Sequence, residues 1–262
     1  MESIIEQLKD RLLTIRSLEE KKKKITTSDM EKVKRSISFL ISWNLDIGIG
    51  DYFILQQDIS LKQCSYSVAR LIDYSIKNFN SRIFDYDIYN VSFAFLCDNI
   101  DYLRNTFANL AYKGDGKNYP DMDIMVRIGE PCIYIHSMLQ ILKQDWDTLA
   151  RNISILEQKV INKKKNELFI PDYEFYKAIL EKNKEEAERA IYRLLEPKNH
   201  KKRNDDYIVN QLISMPALGY AKLAWLSGVE VEINDPLVPK ELLPLQPNEK
   251  YNDYYDFLKS NQ

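Results

Sequence analysis

The chain has 262 residues, enough for one large domain or two small ones with a substantial hydrophobic core. Hydrophobic residues make up 45% and charged residues 29%, which excludes a disordered or fibrous protein. With only 7 Gly and 9 Pro, the chain lacks the frequent turns of a β-sandwich or barrel and the loops of a glycine-rich nucleotide-binding fold. The composition therefore predicts an all-α protein.

Charge and cysteine content narrow the class further. Lys and Arg total 37 against 39 Asp and Glu, a net charge of −2, which disfavours a nucleic-acid-binding protein. Cys64, Cys97 and Cys132 lie far apart in apolar contexts, a pattern typical of buried free thiols in a reducing compartment. The N-terminus has acids where a secretory signal has bases, and no apolar run reaches the ~18 residues of a membrane span. The sequence therefore predicts a cytoplasmic protein that does not bind membranes.

Apolar residues at spacings of three and four predict helices throughout the first half of the chain. The first helix covers residues 4–18, and the second begins at a capping box formed by Ser28 and Glu31. The stripe from residue 61 to residue 79 is the most regular. Residues 88–111 are apolar on more than one side, which predicts one long central helix.

A stretch rich in turn-forming residues, 113–123, predicts a boundary within the chain. On this interpretation residues 1–112 form an N-terminal helical subdomain and residues 124–262 a C-terminal subdomain of helical hairpins. The two are expected to form one compact unit.

A weak internal repeat follows this boundary. Helices predicted at residues 131–143 and 145–161 resemble the next pair at an offset of 38 residues, with five identities in the 16 positions of 141–156. Tetratricopeptide-like hairpins stack in this way to bury faces that neither helix could bury alone. Chance similarity between two amphipathic helix pairs is the alternative explanation.

The last part of the chain is less regular. The Met215-Pro216 pair ends one helix and starts another, because a residue before proline avoids the α region. Gly228 fits a helix end, residues 229–233 alternate like a short strand, and residues 248–258 predict a last helix. Together the elements predict a multi-helix bundle with stacked helical hairpins in the C-terminal half, more than 60% helix, and at most one short strand or hairpin.

Residues that could support catalysis are few and scattered. His136 lies in an apolar helix and His200 in a basic run, without metal-ligand spacing. Asp205-Asp206 lacks the third acid of a magnesium motif, and residues 115–123 lack the bidentate glutamate of a calcium loop. The Ile-Gly-Ile-Gly of residues 47–50 lacks the third glycine of a dinucleotide loop and predicts a helix break instead. We therefore expect no catalytic residues, no metal and no cofactor; an enzyme would require acids clustered around His136.

Features typical of protein-binding surfaces are more abundant. The chain has 17 tyrosines, which provide stiff contact area with a polar tip. Residues 85–147 contain ten acids and five bases, and residues 229–262 contain seven acids and three bases. Such asymmetry suits docking onto a basic partner, although a solvated surface or a tail that merely covers the last helices would also explain it. The residues predicted to bind the partner are Glu230, Glu232, Asp235, Tyr251, Asp253, Tyr254, Tyr255 and Asp256, with Asp115, Asp121 and Asp123 as secondary candidates.

Three consecutive segments of the second half resemble a known family. They are a helical hairpin from residue 170 to 187, a small-residue helix ending in glycine from 215 to 228, and an alternating, proline-containing segment leading to a Leu-Leu pair from 229 to 243. This order resembles the immunity protein 49 family of bacterial polymorphic toxin systems, over about residues 130–245. The resemblance implies a cytoplasmic, all-helical, non-enzymatic protein that binds and neutralises one toxin domain made by the same bacterium. It supplies neither the toxin's identity nor a motif of binding residues.

Two functions from different classes follow from these observations. The first is a toxin-neutralising immunity protein, whose partner is basic if its substrate is nucleic acid. The alternative is a helical-repeat adaptor that binds a peptide or a signalling partner in a concave groove. For the first, replacing Tyr254 and Asp256 by Ala is expected to weaken toxin binding by at least ~2 kcal/mol with little change in melting temperature. Full protection by that variant would make the acidic residues 85–123 the better candidate surface.

Overall fold

The computed structural model describes residues 2–22 and 29–259. Within these ranges the chain forms 13 α-helices joined by short loops and 3₁₀ turns, is 72% helical and has no strand. The all-α prediction is confirmed. The predicted cap residue Ser28 lies outside the described ranges; the helix that follows is capped by Asp29, whose carboxylate accepts from the Lys32 backbone N–H at 3.2 Å.

The helices have the following bounds. The first half contains α1 (Glu2–Lys22), α2 (Met30–Leu55), α3 (Asp58–Phe79), α4 (Ile88–Ala94) and α5 (Ile100–Asn105). The second half contains α6 (Met122–Ile128), α7 (Cys132–Lys143), α8 (Trp146–Ile155), α9 (Ile170–Leu180), α10 (Lys184–Leu195), α11 (Pro197–Arg203), α12 (Met215–Leu226) and α13 (Asp256–Lys259).

The predicted helix break at residues 47–50 is wrong, because α2 runs through both glycines. A Cβ atom on Gly50 would lie 2.3 Å from Leu12 of α1, and one on Gly48 would lie 3.0 Å from Phe93 of α4. The glycines therefore allow two neighbouring helices to approach α2 closely. Glycine costs a helix about 1 kcal/mol relative to alanine, and burial of this part of α2 on every side offsets that cost.

The predicted central helix over residues 88–111 is also wrong as one helix. It is divided into α4, a 3₁₀ turn, α5 and a second 3₁₀ turn. The break falls at Asp98, which has a left-handed backbone (φ 58°), and Asn99 then caps α5 by accepting from the Tyr102 N–H at 3.1 Å. Asn and Asp side chains bond to nearby backbone and so compete with a continuous helix. The segment is nevertheless buried at the centre of the protein, with Phe93 and Phe95 fully enclosed.

The helices of the second half stack as hairpins, as predicted. The starts of α7 and α9, at residues 132 and 170, lie 38 positions apart in the sequence. The starts of α8 and α10, at residues 146 and 184, have the same spacing. Helix α8 packs against both α7 and α9, and α10 packs against α9 and α12. The stack thus ends on α12, which has no polar face of its own.

The C-terminal tail departs from the prediction of a last helix over residues 248–258. Only α13 is helical, and residues 248–254 run extended beside α3. The Gln63 side chain of α3 pairs with both backbone polar groups of Asn252, at 2.9 and 3.0 Å, so the tail's backbone is satisfied without a helix. The main hydrophobic core includes residues from both halves of the chain and from this tail. The division into two subdomains at 113–123 stays a prediction.

Candidate partner-binding surface

The surface that carries the predicted acids is built on α12. Lys222 of this helix is fully buried, pairs with Asp98 and donates to three backbone carbonyls of residues 242–244 at 3.0–3.1 Å. Burial lowers the pKa of Lys222 and raises that of Asp98, and their attraction opposes both shifts. Lys222 therefore holds residues 242–244 against α12, and it also holds α12 against Asp98, at the break between α4 and α5.

A second buried network holds the same helix from its other side. Asp172 of α9, which is wholly buried, pairs with Arg203 of α11 and accepts from the Tyr220 hydroxyl of α12. Tyr176 lies 2.7 Å from the Tyr220 oxygen and donates to the Tyr134 carbonyl at 2.9 Å. The network is polar but satisfied, and it fixes α9, α11 and α12 relative to one another.

Residues 229–235 lie against this support without regular secondary structure, and a tight turn at Glu230 lets the Val231 N–H donate to the Val229 carbonyl at 2.9 Å. The side chains of Val229, Val231 and Ile233 are buried, and Glu230 and Glu232 are exposed. The alternation seen in the sequence therefore separates inside from outside correctly, although no strand partner is present among the described residues. We call Glu230, Glu232 and Asp235 the acidic ridge.

The ridge is held along one face of α10 by residues spaced four apart. The Glu188 carboxylate accepts from the Glu232 backbone N–H at 2.7 Å, and the Tyr192 hydroxyl accepts from the Asn234 N–H at 2.8 Å. Lys184 pairs with the Glu232 carboxylate at 2.5 Å, which lowers the pKa of Glu232. The backbone of the ridge is thus fixed by side chains, while the side chains of Glu230 and Glu232 stay exposed.

Two concave features flank the ridge. On one side, an open groove of about 770 Å³ is lined by Lys182, Lys184, Trp225, residues 227–230 and Glu232. The Trp225 indole donates to the Val231 carbonyl at 2.9 Å, so its ring is fixed beside the groove. On the other side, Asp235 contributes to a recess against the end of α2. The sequence analysis did not identify Trp225 or the α10 contacts. The spacing of apolar residues in α10 indicates which face is exposed, but not which other segment of the chain packs on that face.

Three of the predicted tail residues are used inside the molecule. The Tyr255 side chain is buried, and its hydroxyl accepts from Asn44 of α2 and donates to Glu19 of α1 at 2.9 Å. The side chain of Asp253 is only 4% exposed and accepts two hydrogen bonds from Arg70 of α3, at 3.0 and 2.9 Å. Tyr251 donates to the Cys97 carbonyl and packs on Tyr66.

The other two tail residues stay at the surface. Tyr254 is 39% exposed, and Asp256, also exposed, pairs with Lys259 at 2.8 Å. The tail contacts α1, α2 and α3, whereas the ridge contacts α10 and α12. The structure therefore places the two groups of predicted residues on different helices.

The secondary candidates have local partners. Asp115 accepts from three backbone N–H groups of the loop that follows it, which lower its pKa to about 2. Asp121 caps α6 by accepting from the Ile124 N–H at 2.9 Å. Asp123 pairs with Arg127 at 2.6 Å. These contacts explain the three acids as elements of loop and helix structure, and their exposed edges are still available to a partner.

The residue types usually responsible for catalysis are not assembled into a site in the described part of the chain. His136 lies 2.8 Å from the Asn152 amide and 3.1 Å from the Gln140 amide, and burial lowers its pKa to about 4. All three cysteines are buried free thiols. Among the described residues no group of His, Cys, Asp and Glu could hold a metal ion, and no helix could cross a membrane.

The comparison with known families bears on this same region. Residues 136–242 match the model of the immunity protein 49 family. The match confirms the resemblance read from the sequence, and it suggests an immunity role. It begins within α7 and ends just after the ridge, so it contains the hairpin stack, α12 and all three ridge carboxylates. No curated protein and no solved structure matches the chain.

Proposed function

We propose that this protein binds and neutralises a toxin domain made by the same bacterium, and that the acidic ridge is part of the contact surface. The observation that carries the proposal is the position of the ridge: it lies within the region matched by the immunity protein 49 family, on a fixed backbone, with Glu230 and Glu232 exposed. A surface whose backbone is already ordered loses little conformational entropy on binding.

The chemistry of the ridge favours a basic partner. Carboxylates at an interface steer the encounter with a positive surface and raise the association rate, most strongly at low salt. The Trp225 ring beside Glu230 and Glu232 adds the kind of amphipathic aromatic contact that is enriched at interfaces. A toxin that acts on nucleic acid would have the required positive surface, because phosphate binding depends on Lys and Arg.

The proposed function predicts a gene for a secreted toxin directly upstream of the gene for this chain, and the test uses the full chain and the C-terminal domain of that toxin. Neutralising the ridge with Glu230→Gln and Glu232→Gln is expected to weaken binding about 10-fold, mainly through a slower association, and to flatten its salt dependence. The matched control is Glu6→Gln with Asp10→Asn on the exposed side of α1, which removes the same charge far from the hairpin stack in sequence. Calorimetry and surface plasmon resonance measure the two effects.

The outcomes separate the site from the function. If the wild-type protein neither binds the toxin domain nor protects cells that produce it, the immunity function is wrong. If it binds and protects but the ridge variant behaves like the α1 control, the ridge is the wrong surface and Tyr254 with Asp256 become the next candidates. Capture of a signalling protein instead of a toxin from the native host would favour the adaptor alternative.

A further inference from the structure

A recess with aromatic walls lies at the end of α2, next to the ridge. The rings of Tyr52 and Phe53 meet nearly at right angles, 84° between planes, with centroids 5.0 Å apart. Both side chains are half-buried, so part of each ring is open to solvent. Residues 233–236 and 238–241, which include Asp235 of the ridge, form the opposite wall.

A hydrogen bond divides this space into two chambers. The Tyr52 hydroxyl donates to the Glu241 carboxylate at 2.5 Å, and both residues line both chambers. The chamber on the ridge side has a volume of about 410 Å³ and includes Asp235; the other has about 440 Å³ and includes Asp58. The bond to Tyr52 lowers the pKa of Glu241, so this carboxylate is ionised at neutral pH.

The charges and aromatic rings of the lining residues favour a basic side chain as the occupant of the recess. Lys240 is the single base that lines either chamber in the described structure, against the acids Asp235, Glu241 and Asp58, of which Asp58 is paired with Lys62 at 2.9 Å. A lysine or arginine side chain can lay its methylene groups on a ring and direct its charge to a carboxylate. An apolar side chain would gain nothing from the charge of these carboxylates, and an acidic one would be repelled by them.

We propose that this recess receives a lysine or arginine side chain from the toxin domain, with Glu241 as its carboxylate partner and Tyr52 and Phe53 as its aromatic walls. The proposal rests on the immunity function proposed above and adds an anchor point to it. Asp235 belongs to both the ridge and the recess, so one basic segment of the toxin domain lying along the ridge would end at the recess.

The deciding experiment compares three single substitutions in the full chain by their affinity for the toxin domain. Glu241→Gln keeps the shape of the side chain and removes its charge; we expect a loss of affinity of about 10-fold. Glu249→Gln is the matched control, an exposed acid eight positions further along the same segment, and is expected to change affinity less than about 2-fold. Tyr52→Leu removes the aromatic face and is expected to cost about 3-fold.

Thermal unfolding of each variant separates an effect on binding from an effect on folding. Unchanged melting with a selective loss of affinity in Glu241→Gln supports the recess. Equal affinity of Glu241→Gln and Glu249→Gln, with the wild-type protein binding normally, overturns the recess and leaves the immunity function intact. Absence of toxin binding and of protection by the wild-type protein overturns both. Among toxin variants in which a single Lys or Arg is changed to Gln, at least one should bind the wild-type protein and Glu241→Gln with equal affinity.

Discussion

Single side chains in this protein owe their properties to what surrounds them, and His136 is the clearest case. Burial, reinforced by Arg151 and Lys143, lowers its pKa to about 4, so the imidazole is neutral in the folded protein near pH 7. In the unfolded chain the ordinary value of 6.5 applies. Between these two values the unfolded chain binds a proton that the folded protein does not, and stability therefore falls as pH drops from about 6.5 to about 4.

This linkage predicts that removing the imidazole makes the folding stability less sensitive to acid. We expect His136→Gln to lose less stability than the wild-type protein between about pH 7 and pH 4.5, by roughly 2 kcal/mol. Urea unfolding of both proteins at the two pH values measures the difference, and the carboxylates that titrate in the same range cancel in the comparison. The same loss of stability in both proteins would contradict the assignment of acid sensitivity to this residue.

The ridge and the tail illustrate how far single residues can be placed from sequence. Alternation over 229–233 correctly indicates that Glu230 and Glu232 face outward, because a period of two needs only local information. The aromatic and acidic tail has no such period. Whether Tyr255 or Tyr254 is buried depends on Asn44 and Glu19, which are more than 200 positions away in the chain. Long-range pairing of this kind is not visible in one sequence.

At the level of secondary-structure elements, the tail acts as a strap that joins three helices. It connects to α1 through Glu19, to α2 through Asn44 and to α3 through Arg70. None of these connections requires the tail to be helical, which explains why residues 248–254 stay extended. The glycines of α2 show the reverse effect: an unfavourable propensity tolerated because α1 and α4 need the space.

Two adjacent tyrosines allow the strap to be tested with identical chemistry. Tyr255→Phe removes a hydroxyl that has two buried partners, and we expect it to lower the free energy of unfolding by about 1–3 kcal/mol. Tyr254→Phe removes the same atom from a side chain that is 39% exposed and is expected to change stability by less than about 0.5 kcal/mol. Urea titrations of the two variants give the comparison; equal stabilities would mean that the tail does not strap the helices.

At the level of the whole molecule, the two halves of the chain are in direct contact through α12. A Cβ atom on Gly219 of α12 would lie 2.2 Å from the Ser92 side chain of α4, so the two helices touch with no room for a methyl group. The Arg104 side chain of α5 donates to the Leu226 carbonyl at the end of α12, at 2.9 Å. The acidic ridge depends on α12, and α12 depends on helices from the first half.

This dependence predicts that residues 124–262 do not fold alone. Removing the first half leaves Lys222 without Asp98, and breaking a buried ion pair on one side costs about 3–5 kcal/mol, a large share of the stability of a domain. We expect the fragment to lack a cooperative thermal transition by circular dichroism and to lose toxin binding. The matched control is the full chain cleaved at a protease site inserted in the exposed loop at residue 116, which keeps every contact between the halves and should stay folded. A fragment that unfolds cooperatively by itself would show instead that the turn-rich stretch 113–123 separates two independent subdomains.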